Sequence, residues 1–555
     1  MQRLPRRVLL FAILALTSCH LESQTSKAGE PLSVKPGAPY VGNAACAGCH
    51  NEIYQSYTRS AMSHSSGPAA ENLIAGDFAH KESGVNYRVY SETGKVWLSF
   101  DRPGDPMAHG KRELLYYIGQ GRRGRTYLFS VDGFVFESPV NWYTGRHLWD
   151  MAPAHGHDRE IPMNLPAVAS CLDCHLSGMS PPVSGSENRY PFPFTAQAGV
   201  ICERCHGSGA AHVNGGAIVN PAKLTAERRD QVCMQCHLEG DAAIERAGKH
   251  LYDFRPGDDL FDYVRYFTLS GIPSPQLRAA SQFEALAQSV CKQKSGNVMS
   301  CVSCHDPHQT VAPENRVAFY RAKCLACHGE KFGARHNSKQ PDCTSCHMPA
   351  SSSSDVAHTQ VTDHRIPLRP DLEVRQQELT GTIRLNEFPR SEESKNSLRD
   401  LALAWQSIVN SGMSTAQHQA DQALHAALAQ TPDDPALLSS LAYSDQKRGA
   451  DEKARDLYTQ ALQRDSSLTD AATNLGVLQA KRGQVTEAVK LWQSAFERAP
   501  GKSEIGMNLA RAFCSAAQYD VARDYTLRVL EFNPDLDGAK QLLRALNSNP
   551  ARCAL

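Results

Sequence analysis

Seven times along this 555-residue chain, two cysteines stand two residues apart with a histidine directly after the second. The seven motifs, numbered here in chain order, are Cys46/Cys49/His50, Cys171/Cys174/His175, Cys202/Cys205/His206, Cys233/Cys236/His237, Cys301/Cys304/His305, Cys324/Cys327/His328 and Cys343/Cys346/His347. They use fourteen of the eighteen cysteines, and no C-x-x-C pair lacks the histidine. Thiols at this spacing can each add across one vinyl group of a haem, with the adjoining imidazole held under the iron as its proximal ligand. A zinc ribbon needs two such pairs and gives no reason for a histidine after each. A thioredoxin-type site would use one pair, and disulfides need no fixed spacing. The pattern predicts seven covalently attached haem c groups. It also predicts a region that does not fold without them, because ligation energy is then folding energy.

The motifs delimit a cytochrome-like domain over residues 40–370. The second, third and fourth start 31 residues apart and the last three 23 and 19 apart, with a longer insertion at 238–300. Porphyrins bring their own buried apolar surface, so a haem-packed domain is expected, with short helices bearing the Cys-His pairs and much irregular connection. Between the first two motifs the pattern changes. Val85, Tyr87 and Val89 alternate, a Glu92–Lys95 turn follows, and Val96 to Phe100 resumes the run. A second β-rich stretch from Leu114 to Trp142 has turns at Gly119–Gly124 and Asp132-Gly133. Together they predict a small β insert at about 80–145 in a mainly α fold.

The N-terminus reads as an export signal over residues 1–18: Arg3, Arg6 and Arg7, then an apolar run from Val8 to Leu16 too short to span a bilayer. Leu16-Thr17-Ser18-Cys19 resembles a bacterial lipobox, which predicts cleavage before Cys19 and lipidation of its thiol. Ordinary secretory cleavage is the alternative. Residues 19–39, rich in Ser, Gly and Pro, would form a tether. The expected location is periplasmic or anchored at the outer membrane of a Gram-negative bacterium. A formal net charge of zero argues against a nucleic-acid binder.

Beyond a serine run at 351–354 and a polar linker at 371–397, a repeat of 34 residues occupies 398–548. Ala420, Ala454, Ala488 and Ala522 are in register, as are Ala427, Ala461, Ala495 and Val529. So are Pro432, Ser466, Pro500 and Pro534, then Leu441, Leu475 and Leu509, and the large residues Leu424, Tyr458 and Trp492. Small residues at these places let two antiparallel helices pack closely, the tetratricopeptide pattern, and such arrays form an α-solenoid with a concave protein-docking surface.

Fifteen of the 22 histidines lie outside the motifs. His308 stands one helical turn past His305, on one face of a short helix, and is free to ligate a neighbouring haem. The chain resembles the multihaem cytochromes c related to the tetrahaem cytochrome of ammonia oxidisers, in the form with C-terminal tetratricopeptide repeats. The resemblance covers 40–368 and rests on Tyr40-Val41-Gly42 before Cys46, Asp77-Phe78-Ala79-His80, Tyr117-Ile118-Gly119-Gln120-Gly121, Cys202–His206 with Gly207 and His212, Cys301–His308, Cys343–Pro349 and Thr362-Asp363-His364-Arg365-Ile366. It implies His80, His212, His308, His336, His358 and His364 as distal ligands. Met62, two residues before His64, sits where relatives often have a methionine, and both join the candidates for the remaining iron. Cys291, Cys514 and Cys553 have no assigned part.

The expected function is electron transfer through seven haems, with the repeats docking redox partner proteins or a peptide. The alternative is an oxidoreductase acting on a small nitrogen or sulfur compound at one haem with an open face. Related enzymes often put lysine in place of the proximal histidine there, and no C-x-x-C-K occurs. A scaffold with vestigial haems is a third reading, disfavoured by seven intact motifs.

Overall fold

The computed structural model describes residues 40–193, 195–271, 282–335, 341–350, 362–367, 383–389 and 398–553. Cys19, the expected signal and tether, and His336 and His358 lie outside the described residues.

The alternation in Val85–Phe100 builds a sheet, and a larger one than the sequence suggested. Its strands are β1 (Ser66–Pro68), β2 (Gly76–His80), β3 (Val85–Glu92), β4 (Lys95–Asp101), β5 (His109–Ile118), β6 (Gly124–Val131), β7 (Phe134–Glu137), β8 (Val140–Tyr143) and β9 (Leu148–Met151). The order is β2-β3-β4-β5-β6-β8-β9, with β1 on β5 and β7 on β6. Thr93-Gly94 and Asp132-Gly133 both take positive φ, as tight two-residue hairpin turns require. The end strands β2 and β9 touch, so the sheet curls nearly into a barrel. A Cβ on Gly76 would sit 2.6 Å from Trp149 Cδ1, which only glycine tolerates at this approach. Val85, Tyr87, Val89, Val96, Leu98 and Phe100 bury one face. The expected small insert at 80–145 is therefore corrected to a nine-stranded sheet from Ser66 to Met151 with its own core.

Two smaller sheets follow. β10 (Leu176–Met179) and β11 (Thr195–Ala198) form an antiparallel hairpin, and β12 (Ala242–Glu245), β13 (Val264–Ser270) and β14 (Arg384–Phe388) form a three-stranded sheet. β14 comes from within the stretch expected to be a linker. Its five residues pair with β13, and Leu385 shares a core with Trp405 and Ile408 of the first repeat helix.

The repeats are helix pairs Leu398–Asn410 with Gln417–Gln430, Pro435–Lys447 with Asp451–Arg464, Thr469–Lys481 with Val485–Arg498 and Ser503–Ser515 with Tyr519–Phe532, then Asp537–Ser548. The in-register Ala420, Ala454, Ala488 and Ala522 are fully buried, as the close packing demands. Cys514 and Cys553, unassigned in the sequence, form a disulfide that fastens the end of the array.

One edge of the array, its inter-repeat turns, lies along the cytochrome part. Arg399 donates to the Glu245 carbonyl (3.3 Å), Ser186 to the Arg498 carbonyl (2.9 Å) and Asn164 to the Gly501 carbonyl (3.3 Å). At the far end Phe532 enters the core of the nine-stranded sheet, meeting Phe134 and Phe136 edge-on. Beside it Arg102 donates to both oxygens of the buried Asp535 carboxylate, while Lys540 bridges Asp535 (2.6 Å) and Asp105 (2.9 Å).

Candidate functional site

A C-x-x-C-H motif needs one helical turn to put both thiols on one side, then a break that swings the imidazole beneath them. The structure builds this break repeatedly. His50 is non-helical within Asn43–Tyr57, Gly207 at φ 73° ends the helix Cys202–His206, and Gly329 at φ 67° interrupts Arg316–Arg335 directly after His328. His305 is already extended at the end of Cys301–Cys304. The expected shared helix for His305 and His308 is thus corrected: Asp306 accepts the His308 N–H in a turn (2.9 Å), and the histidines leave in different directions.

Residues inside and around the motifs tie them into one cluster. Cys202 N donates to Asn43 Oδ1 (2.9 Å), joining the third motif to the first. Arg204 donates to the Asp173 carbonyl (3.1 Å), joining it to the second, and Gln235 donates to the Arg204 carbonyl (3.4 Å), joining the fourth. Cys301 N donates to Asp230 (3.0 Å) just ahead of the fourth motif. His305 meets the Tyr320 ring edge-on ahead of the sixth, and Arg321 donates to the Pro341 carbonyl (3.2 Å) ahead of the seventh. Arg204, Asp230 and Gln235 are all buried, so the bonds they make here take the place of water.

Burial also acts on the thiols, pushing Cys205 up to about 12, with Cys233 and Cys236 adding to it, and Cys324 up to about 11. Cys202 is likewise pushed up to about 12 by burial, then by Cys46 beside it. They stand as thiols, the form that adds across a vinyl group. The polypeptide covers the thiols unevenly. Cys49, Cys327 and Cys346, the second thiols of the first, sixth and seventh motifs, are exposed. The first motif meets the third, and the sixth lies between the fifth and the seventh. The first thiols of these three motifs face inward, Cys46 beside Cys202 and Cys324 beside Cys343, and the second ones are left at the surface. Cys171 is exposed as a residue as well, although burial still pushes its thiol up.

The imidazoles carry the fit to iron. His206, His237, His305 and His364 are all held below the usual imidazole range, in each case chiefly by burial, so their rings are neutral. Nδ1 reaches an acceptor in His206 (Val219 O, 2.9 Å), His347 (Pro367 O, 2.8 Å), His212 (Gly216 O, 3.1 Å), His364 (Thr362 O, 2.9 Å) and His237 (Gln282 Oε1, 3.2 Å). A proton on Nδ1 leaves Nε2 as the donor to metal. Two imidazoles on opposite faces of one iron, each at about 2 Å metal–nitrogen distance, hold their centroids roughly 6 Å apart. His50 and His212 stand at 6.4 Å with planes 13° apart, His206 and His308 at 6.0 Å and 20°, and His305 and His364 at 6.2 Å and 32°. Arg229 Nε, beside the fourth motif, is buried with no acceptor from the chain, as a propionate contact would require.

Other candidates lie elsewhere. His80 is buried at the end of β2, with Nδ1 on Ser83 Oγ (2.8 Å) and Nε2 on the Gly156 carbonyl (3.3 Å), so both nitrogens are occupied. Its ring is thus engaged at the edge of the sheet. His64 Nε2 meets the Thr58 carbonyl at 2.6 Å. The Met62 carbonyl accepts from Val200 N (3.0 Å), and the following Ser65 and Ser66 both donate to the His175 carbonyl. Met62 and His64 therefore belong to a segment beside the second motif. Glu203, absent from the sequence reading, is fully buried within the third motif; a charged residue between two cysteines gives no sequence signal of a long-range partner.

Known proteins match parts of the chain. The family described as doubled CXXCH motif matches residues 294–333, and the family described as cytochrome c554 and c-prime matches 141–207. The multiheme cytochrome MtrA of Shewanella baltica (strain OS185) is 26% identical over 190 residues, 30% of this chain and 54% of the relative. The chain thus spans about half the length of that curated relative. Among solved structures, MamA is 17% identical over 25% of this chain and 78% of its own, at a TM-score of 0.22. A tetratricopeptide repeat protein from Parabacteroides merdae is 20% identical over 28% of this chain and 62% of its own, at 0.24. PilF of Pseudomonas aeruginosa is 20% identical over 28% and 74%, at 0.25. The repeat geometry rests on the helix pairs themselves.

Proposed function

The chain is a multihaem c-type cytochrome with a tetratricopeptide-like region, and from that premise we propose that it is an exported electron carrier holding seven haems in one contiguous row. The observation that carries the reading is the set of three imidazole pairs at the separation that opposite faces of one iron demand. Haem, when bound, supplies an iron that gains and loses one electron. The chain's part is to place and insulate it. His50 with His212, His206 with His308 and His305 with His364 serve as axial pairs, and His175, His237, His328 and His347 as the other proximal ligands. At those three irons paired imidazoles would leave no face for substrate, which favours transfer over turnover there. The hydrogen bonds between motifs set the row: first to third, third to both second and fourth, fourth to fifth, then sixth and seventh.

Export is supported by the N-terminal pattern and by the Cys514–Cys553 disulfide, a bond that persists in oxidising compartments. No helix among the described residues is long and apolar enough to cross a membrane, and anchoring falls to Cys19. Because one edge of the repeats is occupied by the chain itself, a redox partner docks on the first-helix face, where Tyr443, Val477 and Arg511 recur 34 residues apart. The test is to express the chain with bacterial haem-ligation machinery, denature and weigh it, and record EPR spectra. Seven added porphyrins and low-spin iron are expected. A mass without them sinks the reading, and a high-spin iron open to added ligands turns it toward the oxidoreductase.

A further inference from the structure

Glu203 lies between the two cysteines of the third motif with no exposed surface, yet its partners are not in that motif. Its carboxylate accepts the backbone N–H groups of Val41 (3.0 Å), Gly42 (2.8 Å) and Gly209 (2.7 Å). Gly42 caps the helix Asn43–Tyr57, which has no side-chain cap and no acidic residue in its first turn. A carboxylate arriving from far along the chain thus takes up the N–H of the N-cap residue, as the acidic member of a capping box does from within a helix. The tie is reciprocal, since Asn43 accepts from Cys202 N. Gly209 opens the turn that leads to His212, and a Cβ there would meet Val41 at 2.9 Å and Glu203 Oε1 at 3.3 Å. One side chain therefore grips both the start of the helix bearing His50 and the segment bearing His212, the two rings standing 6.4 Å apart.

We propose that Glu203, attached through its own motif to the third haem, is the positioning residue that holds His50 and His212 on opposite faces of the first. This rests on the axial pairing proposed above. A carboxylate suits the task because it only accepts, through two oxygens, and all three neighbours donate. An amide of the same size would turn an NH2 group toward at least one of them.

The test uses the full haem-loaded chain. In Glu203→Gln the porphyrin mass stays at the wild-type value, while roughly one seventh of the low-spin EPR intensity, one haem of the seven motifs, passes to high spin. Added imidazole restores it by taking the place of His212. His212→Ala gives the same loss, and the double variant loses no more, because both changes act on one iron. Should Glu203→Gln fail to fold, Glu203→Asp keeps the charge but is too short for all three donors, and shows a smaller loss at the same haem. Wild-type low-spin intensity in either variant, or losses that add in the double variant, overturns the assignment. A His212→Ala variant that stays fully low-spin counts against the axial pairing instead, so the two failures are distinguishable.

Discussion

An imidazole binds iron with one nitrogen and is oriented by the other, and the carbonyls of Val219, Pro367, Gly216 and Thr362 take up that second role here. The arrangement makes each axial residue replaceable without touching the thioethers. His308→Ala should leave the porphyrin mass unchanged and convert the iron held by His206 from low to high spin, read by EPR; a spectrum identical to the parent would remove His308 from that iron. The proximal residues were legible in the sequence because covalent chemistry fixes the two thiols and the imidazole within five positions. Which thiols the polypeptide covers was not, because Cys49, Cys171, Cys327 and Cys346 differ from the other motif cysteines only in what packs around them. The opposite ligands were hidden for a related reason, being a tertiary relation to an iron held by another part of the chain. His212 and His364 were candidates by resemblance, and the fold brings their rings to those of His50 and His305. His80, a candidate by the same route, has its ring against Ser83 and the Gly156 carbonyl inside the sheet.

At the level of elements, legibility followed length and repetition. The helical repeats announced themselves because four turns of the same packing problem select small residues at the same places. Gly476 is among the tightest of them: a Cβ there would lie 2.4 Å from Trp492 Nε1, itself donating to the Thr473 carbonyl (3.0 Å). Gly476→Val should cost about 2–3 kcal/mol by overpacking, seen as a lowered thermal midpoint with the haem spectrum unchanged. The two-residue turns at Thr93-Gly94 and Asp132-Gly133 were equally readable. The extent of the sheet was not, because β1, β8 and β9 are three or four residues long and too short to show alternation. β14 buries Leu385 and little else, so a strand pairing with β13 read as polar linker.

The whole molecule is held by contacts between its distant parts. Asp535 and Lys540 are almost entirely buried between the end of the repeats and the β4–β5 connection, with Arg102 and Asp105 completing a neutral set. Lys540→Met should cost on the order of 3 kcal/mol, because it leaves buried carboxylates short of a partner. Limited proteolysis should then cut first near 533–537, whereas cleavage unchanged from the parent would mean the cluster carries little. Phe532 completes the core of a sheet whose strands end at Met151. During synthesis, a domain made early thus waits for helices made much later. Until they are delivered the apolar seam at Phe134 and Phe136 stays open. Closure then comes last, a seal drawn over finished work.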